Sequence, residues 1–166
     1  MKRIIFIMVL ILSFCGCSKE ICVTPQEVAE RYSADFSVTA KTGETEMDIG
    51  KNRMSISFDV KNPKEISGLK VELSGEHAKV IYEGMEQSIN TKNLPGKAPF
   101  LLVSYLFECL ADAEKFSLSI DGDNIIAKNE DFTAVLSKEN FSVVKAVFPQ
   151  YDAEFFFSEW SFSSAE

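Results

Sequence analysis

Residues 98–113 read APFLLVSYLFECLADA, and this stretch decides the fold. Apolar side chains would cover nearly every side of the helix that it predicts, whereas a surface helix keeps one polar face. Short alternating segments with tight turns precede and follow the stretch, which predicts one apolar helix lying against the concave face of a curved antiparallel sheet. Such a sheet would enclose either a packed core or a hydrophobic pocket, and the sequence leaves both open.

Alternation of apolar and polar residues predicts strands on both sides of this helix. The clearest example is residues 54–60, whose buried face would consist of Met54, Ile56, Phe58 and Val60. No helical pattern separates neighbouring strands, so we expect an α+β, mostly β fold with about six strands, the apolar helix and about five further strands. A Thr24–Glu27 capping box with Pro25 predicts a short N-terminal helix that ends near Ser33.

The first residues have the organisation of a bacterial export signal. Lys2 and Arg3 precede an apolar run over residues 4–14, which is shorter than the about 20 residues that a membrane-spanning helix needs. The following glycine and Cys17 resemble the cleavage box of bacterial lipoproteins, in which the cysteine receives diacylglycerol. We therefore predict a signal peptide over residues 1–16 and acylation at Cys17, with an ordinary signal cleaved nearby as the alternative.

Acylation at Cys17, including chains such as palmitate, would anchor the protein to the cell envelope, because two acyl chains hold a protein stably. Residues 17–23 would form the tether and residues 24–166 a single domain. Ser18 stands where inner-membrane lipoproteins of two-membrane bacteria carry Asp. The predicted location is the outer leaflet of the plasma membrane in a single-membrane host, or the periplasmic face of the outer membrane in a two-membrane host.

The charge of the chain limits its partners. The formal net charge is −8, and removal of Lys2 and Arg3 with the signal peptide would bring it to −10. Phosphate backbones and anionic lipid surfaces repel such a protein. Nucleic acid is therefore not an expected partner, and the membrane would be reached through the acyl anchor.

The sequence contains no recognisable catalytic or metal-binding set. His77 is the only histidine, and no Gly-x-Ser-x-Gly elbow accompanies it. The Asp121–Asn124 segment is typical of a hairpin turn and lacks the later Glu of a calcium loop. Cys22 and Cys109 could form a disulfide outside the membrane, or Cys109 could be a small buried hydrophobe. We expect neither an enzyme nor a cofactor or metal.

The order of the predicted elements resembles that of the LolA/LolB-type carriers of outer-membrane lipoproteins. The segments Phe36–Val38, Gly68–Val71, Val80–Gly84 and Ala98–Ala113 carry the resemblance, which covers about residues 35–160. It implies an incomplete antiparallel barrel, a lid helix and an apolar cavity for acyl chains. Related lipoproteins of the GerS germination type imply a second role, that of an adaptor for a cell-wall hydrolase.

Two surfaces follow as candidate binding sites. The apolar helix would line a ligand cavity with Phe100, Leu101, Tyr105, Leu106 and Phe107, unless these residues simply form the core. The aromatic segment 155–160 would place apolar side chains on both faces of its strand, so that one face could be sheet core while the other would need a helix, a partner or a dimer mate. We therefore predict a binding function, with an acyl ligand as the first hypothesis and an envelope protein as the alternative.

Overall fold

One antiparallel sheet of eleven strands carries most of the regular structure. The computed structural model describes residues 23–96 and 98–163. The strands are β1 (Phe36–Thr42), β2 (Thr45–Lys51), β3 (Ile56–Asn62), β4 (Lys70–Ser74), β5 (His77–Tyr82), β6 (Met85–Asn90), β7 (Ser117–Asp121), β8 (Asn124–Lys128), β9 (Thr133–Ser137), β10 (Val143–Phe148) and β11 (Ala153–Phe162). The helices are α1 (Pro25–Ser33) and α2 (Pro99–Leu110). The predicted fold class is confirmed: a curved, unclosed antiparallel sheet with an N-terminal helix and an inserted apolar helix.

The spatial order of the strands explains why α2 lies across the sheet. The order is β6-β5-β4-β3-β2-β1-β11-β10-β9-β8-β7, so the first and last strands pair in the middle. The chain leaves the sheet at one edge strand, β6, and re-enters it at the opposite edge strand, β7. Because α2 makes this connection, it spans the concave face and is covered on most of its sides.

Burial along α2 agrees with this position. The buried residues of the helix are Leu102, Val103, Ser104, Leu106, Phe107, Cys109 and Leu110. Pro99 stands at the start of the helix, where its missing N–H costs no hydrogen bond. The capping box that begins α1 is also present, since the Thr24 hydroxyl accepts from the Glu27 N–H and the Glu27 carboxylate accepts from the Thr24 N–H.

The prediction that the aromatic segment needs cover on both faces of its strand is wrong, because β11 contains a bulge. The register with β1 shifts between Ser37 and Thr39, and Glu159 has a positive φ of 56°. The extra residue turns Trp160 to the same inner face as Phe155, where it lies beside the helix ring of Phe107. Of the segment's phenylalanines, only Phe156 is left on the outer face, where it is 50% exposed.

The prediction that Met54 shares the buried face of its strand is also wrong. The carboxamide oxygen of Asn52 accepts hydrogen bonds from the N–H groups of Met54 and Ser55, each at 2.8 Å. This local turn delays the start of β3 until Ile56. Met54 is consequently 82% exposed.

Tyr32 joins α1 to the sheet at a fully buried position. Its hydroxyl donates a hydrogen bond to the Phe141 carbonyl and accepts one from the Val143 N–H, both at 2.9 Å. Its ring stacks on that of Phe107 with 5.9 Å between centroids. Burial raises the pKa of the Tyr32 phenol well above its usual range, so this residue acts as a neutral structural link.

We expect Tyr32→Phe to lower the free energy of unfolding by about 1–3 kcal/mol, because it leaves the buried N–H of Val143 without an acceptor. Tyr82→Phe is the matched control. The Tyr82 hydroxyl donates to the Glu65 carbonyl at 2.6 Å on the surface, where water can replace it, and a change within about 0.5 kcal/mol is expected. Urea unfolding followed by circular dichroism measures both variants, and equal losses would contradict this role for Tyr32.

Among the described residues, the buried hydrophobic side chains lie between Val28 and Phe157. A segment that contains its whole core is expected to fold by itself. The predicted signal peptide, the acylation site at Cys17, Cys22 and nearly all of the predicted tether lie outside the described residues. Within the predicted single domain, Lys97 and residues 164–166 also lie outside the described residues.

Candidate functional site

A cleft of about 360 Å³ lies between α2 and the loop that joins β2 to β3. We call this loop, together with the strand residues Lys51 and Ile56 at its two ends, the rim loop (residues 51–56). The cleft is lined by Lys51, Asn52, Arg53, Met54, Ser55, Ile56, Leu73, Gly75, Thr91, Leu101, Ser104, Tyr105, Phe107 and Glu108. Its walls therefore combine apolar side chains from the helix and sheet with polar and charged side chains from the rim loop.

Only three of the five predicted ligand-binding residues line the cleft. Leu101, Tyr105 and Phe107 line the cleft. Phe100 is half-buried and packs against the ring of Phe58 in β3, with 5.3 Å between centroids. Leu106 is fully buried in the core. The helix thus faces a packed core on most of its surface and the cleft along one side.

The cationic residues of the rim loop were missed by the sequence reasoning. Lys51 and Arg53 border the cleft, yet in the sequence they simply flank a predicted turn. The turn signal at Asn52 places a loop there, but only the folded sheet brings that loop over α2. No local pattern in the sequence could have identified these two residues as part of a site.

The contacts of the Lys51 ammonium replace only part of the hydration that it loses on burial. Lys51 is half-buried, and its ammonium donates to the Ala34 carbonyl at 3.4 Å. Burial lowers the pKa of Lys51, while the nearby carboxylate of Asp35 acts in the opposite direction. On the helix side of the cleft, the Glu108 carboxylate accepts a hydrogen bond from the Ser104 hydroxyl at 3.2 Å.

Tyr105 forms a fixed wall of the cleft. Its hydroxyl donates to the Asp131 carboxylate at 2.6 Å, and Gln150 donates to the other oxygen of that carboxylate at 3.3 Å. The hydrogen bond to Asp131, together with burial, raises the pKa of Tyr105 above its usual range. Tyr105 is therefore a neutral side chain whose outer end is held by Asp131, in the loop between β8 and β9, with Gln150 supporting that carboxylate from the turn after β10.

Cys109 lies on α2 beside Tyr105 and next to Asn129, the residue after β8. Its side chain is 2% exposed, and the Asn129 amide lies 3.9 Å from its sulfur. Burial raises the pKa of the thiol, which makes the thiolate scarce and the cysteine a poor nucleophile. The position agrees with a small buried hydrophobe; pairing with Cys22 remains untested, because Cys22 is not among the described residues.

The remaining sequence candidates form no constellation in the described part of the chain. His77 is exposed at the start of β5, where its backbone lies opposite Asn90 of β6. In residues 23–96 and 98–163, no three His, Cys, Asp or Glu side chains converge as metal ligands would. Neither described helix combines the length and hydropathy that crossing a bilayer requires.

Comparison with known proteins supports the architecture. Neither a family model nor a curated protein sequence matches the chain, whereas 18 solved chains match its structure. One is an uncharacterized conserved protein from Thermus thermophilus, with a TM-score of 0.53 and 8% identity over 85% of this chain and 88% of that one. Another is a LolA superfamily protein from Nitrosomonas europaea, with a TM-score of 0.43 and 12% identity over 87% of this chain and 96% of that one. The chain shares the fold of the Thermus protein, and its structural neighbours include a member of the LolA superfamily.

Proposed function

We propose that this protein is a lipid-anchored envelope protein that binds an acyl chain, from a lipid or a lipoprotein, in the cleft between α2 and the rim loop. The observation that carries the proposal is the 360 Å³ opening in which apolar residues of α2 face the rim loop. Its volume lies at the lower end of the about 300–1,000 Å³ that is typical of ligand sites. The proposed activity is binding and requires no chemical step.

The apolar part of the cleft suits a flexible hydrocarbon chain. Half-buried Leu101 contributes exposed surface from α2, and the buried side chains of Phe107, Ile56 and Leu73 form the apolar floor beneath it. Met54 lies at the rim and is 82% exposed. A methionine side chain is unbranched and adaptable, so it can follow ligands of different shape and bury its own exposed surface on them.

The predicted anchor would keep this cleft close to a membrane. If Cys17 is acylated, residues 17–23 form a tether that spans at most about 25 Å when fully extended. α1 begins directly afterwards, at Pro25, and docks on the sheet through Tyr32. An acyl chain that leaves the bilayer would therefore have a short distance to travel.

Binding of a fluorescent fatty acid to residues 23–166, purified without detergent, tests the proposal. Leu101→Gln is expected to weaken binding about 10- to 100-fold, because Leu101 would contribute about 1.5–3 kcal/mol of apolar burial. Ile120→Gln, on the exposed edge strand β7, is the control and should bind like the wild type. Absence of saturable binding by the wild type, with no lipid retained in native mass spectrometry, would contradict the proposal.

The second candidate function is a protein-binding adaptor at the envelope. The exposed edges of the sheet favour it: Met85 on β6 is 68% exposed and Ile120 on β7 is 56% exposed. A free edge offers unpaired backbone groups to which an extended partner segment can add as a further strand. A pull-down from envelope extract should then recover one stoichiometric partner, and its loss in an edge variant such as Ser88→Pro would locate the contact on β6.

A further inference from the structure

We infer that the ligand of this cleft is an amphiphile with an anionic head group, which Lys51 and Arg53 bind at the rim while the hydrocarbon chain lies against α2. The inference rests on the proposed function and narrows the ligand class. It follows from the division of the cleft into an apolar wall, which includes Leu101 and Phe107, and a cationic rim loop.

Like Lys41 of β1 and Lys128 of β8, the two cations of the rim loop have no close carboxylate partner in the part of the chain that the structure describes, and unlike those two they lie together at the cleft. Lys61, for comparison, lies between the carboxylates of Asp48 and Asp59, at 3.2 and 3.3 Å. Among the described residues, neither Lys51 nor Arg53 has a carboxylate within the 4.0 Å that defines an ion pair. Although the chain has 25 acidic and 17 basic residues, two cations without such a partner lie together at this cleft.

Lys51 has the most to gain from an anionic partner. Its ammonium is partly withdrawn from water and has one long hydrogen bond, to the Ala34 carbonyl at 3.4 Å. The lowered pKa of Lys51 has burial as its main cause. A charge that has already lost part of its hydration forms a stronger ion pair than a fully solvated one, because less solvation remains to be removed.

Glu108 is the one carboxylate that lines the cleft. It faces the same opening from α2 and would repel an anionic head group. Two cations against one carboxylate leave the lining with a net positive charge. We therefore expect Glu108→Gln to strengthen the binding of an anionic amphiphile, and the removal of either cation to weaken it.

Displacement of the neutral probe N-phenyl-1-naphthylamine from residues 23–166 tests the charge preference. Dodecanoate and dodecyltrimethylammonium are compared at pH 8, because they have twelve-carbon chains and opposite charges. Dodecanoate is expected to displace the probe at a concentration at least about tenfold lower. The acidic protein as a whole attracts the cation, so this preference would arise locally at the cleft. It should shrink in 0.5 M NaCl, where the Debye length falls to about 4 Å.

Four variants test which residues cause the preference for dodecanoate over dodecyltrimethylammonium. Lys51→Gln and Arg53→Gln should each reduce it several-fold, Glu108→Gln should increase it, and Lys61→Gln, away from the cleft, should leave it unchanged. Arg53→Gln alters an exposed loop residue and keeps the test valid if Lys51→Gln disturbs folding. Equal displacement by both amphiphiles, or preference for the cation, would contradict the inference that the ligand has an anionic head group. The proposed function would stand. Failure of both to displace a bound probe would overturn the two proposals together.

Discussion

Replacing Phe107 by alanine is expected to lower the free energy of unfolding by about 4 kcal/mol. The side chain is 1% exposed and lies at the centre of an aromatic cluster that joins α1, α2 and the sheet. The ring centroids of Phe36, Tyr32, Phe157 and Trp160 lie 4.9–5.9 Å from that of Phe107. Such a cluster encloses the vacated volume on several sides and cannot easily collapse into it.

Urea and thermal unfolding of residues 23–166 measure this loss, which corresponds to about 8–16 °C in Tm for a domain of this size. Phe156→Ala removes the same side chain from the outer face of β11, where it is 50% exposed. Its effect should stay below about 1 kcal/mol. If the two variants lost equal stability, α2 would not be the centre of the core.

The second large effect concerns the anchor. Cys17→Ala should move the full-length protein from the membrane fraction and abolish incorporation of labelled palmitate, because the proposed acyl attachment requires this cysteine. An anionic membrane surface repels a domain with excess negative charge, so the acyl chains would supply the attachment. Membrane fractionation and metabolic labelling in the native host measure both effects.

Cys15→Ala is the matched control, since it removes the other cysteine of the proposed cleavage box, which is not the predicted acylation site. It should leave labelling and fractionation unchanged. Retention of label by Cys17→Ala, or its loss only in Cys15→Ala, would contradict acylation at Cys17. The cleft and its ligand would be unaffected by that outcome, because they depend on residues of the folded domain.

Local patterns in the sequence predicted most of the individual elements. The capping box at Thr24 correctly places α1, and the apolar run beginning at Ala98 correctly places α2 between two groups of strands. Local patterns could not predict the pairing of β1 with β11, because it joins residues more than a hundred positions apart. The bulge at Glu159 likewise depends on the register of that pairing, so alternation alone could not show that Trp160 joins Phe155 on the inner face.

The candidate site was predictable only in part, for a related reason. Hydrophobicity identifies α2 as the central element, but which of its side chains remain beside an opening depends on the strands that cover the others. Leu101 borders the cleft while Leu106, five residues later, is sealed in the core. Lys51 and Arg53 become site residues only because the sheet carries their loop over the helix.

Photo-crosslinking of a diazirine-bearing fatty acid to residues 23–166, followed by peptide mass spectrometry, tests the central claim most directly. The account predicts adducts on the rim loop, residues 51–56, and on the part of α2 between Leu101 and Glu108, with competition by unlabelled fatty acid. Adducts confined to the outer face around Phe156 or to the edge strands β6 and β7, or labelling that an excess of unlabelled fatty acid does not reduce, would contradict it.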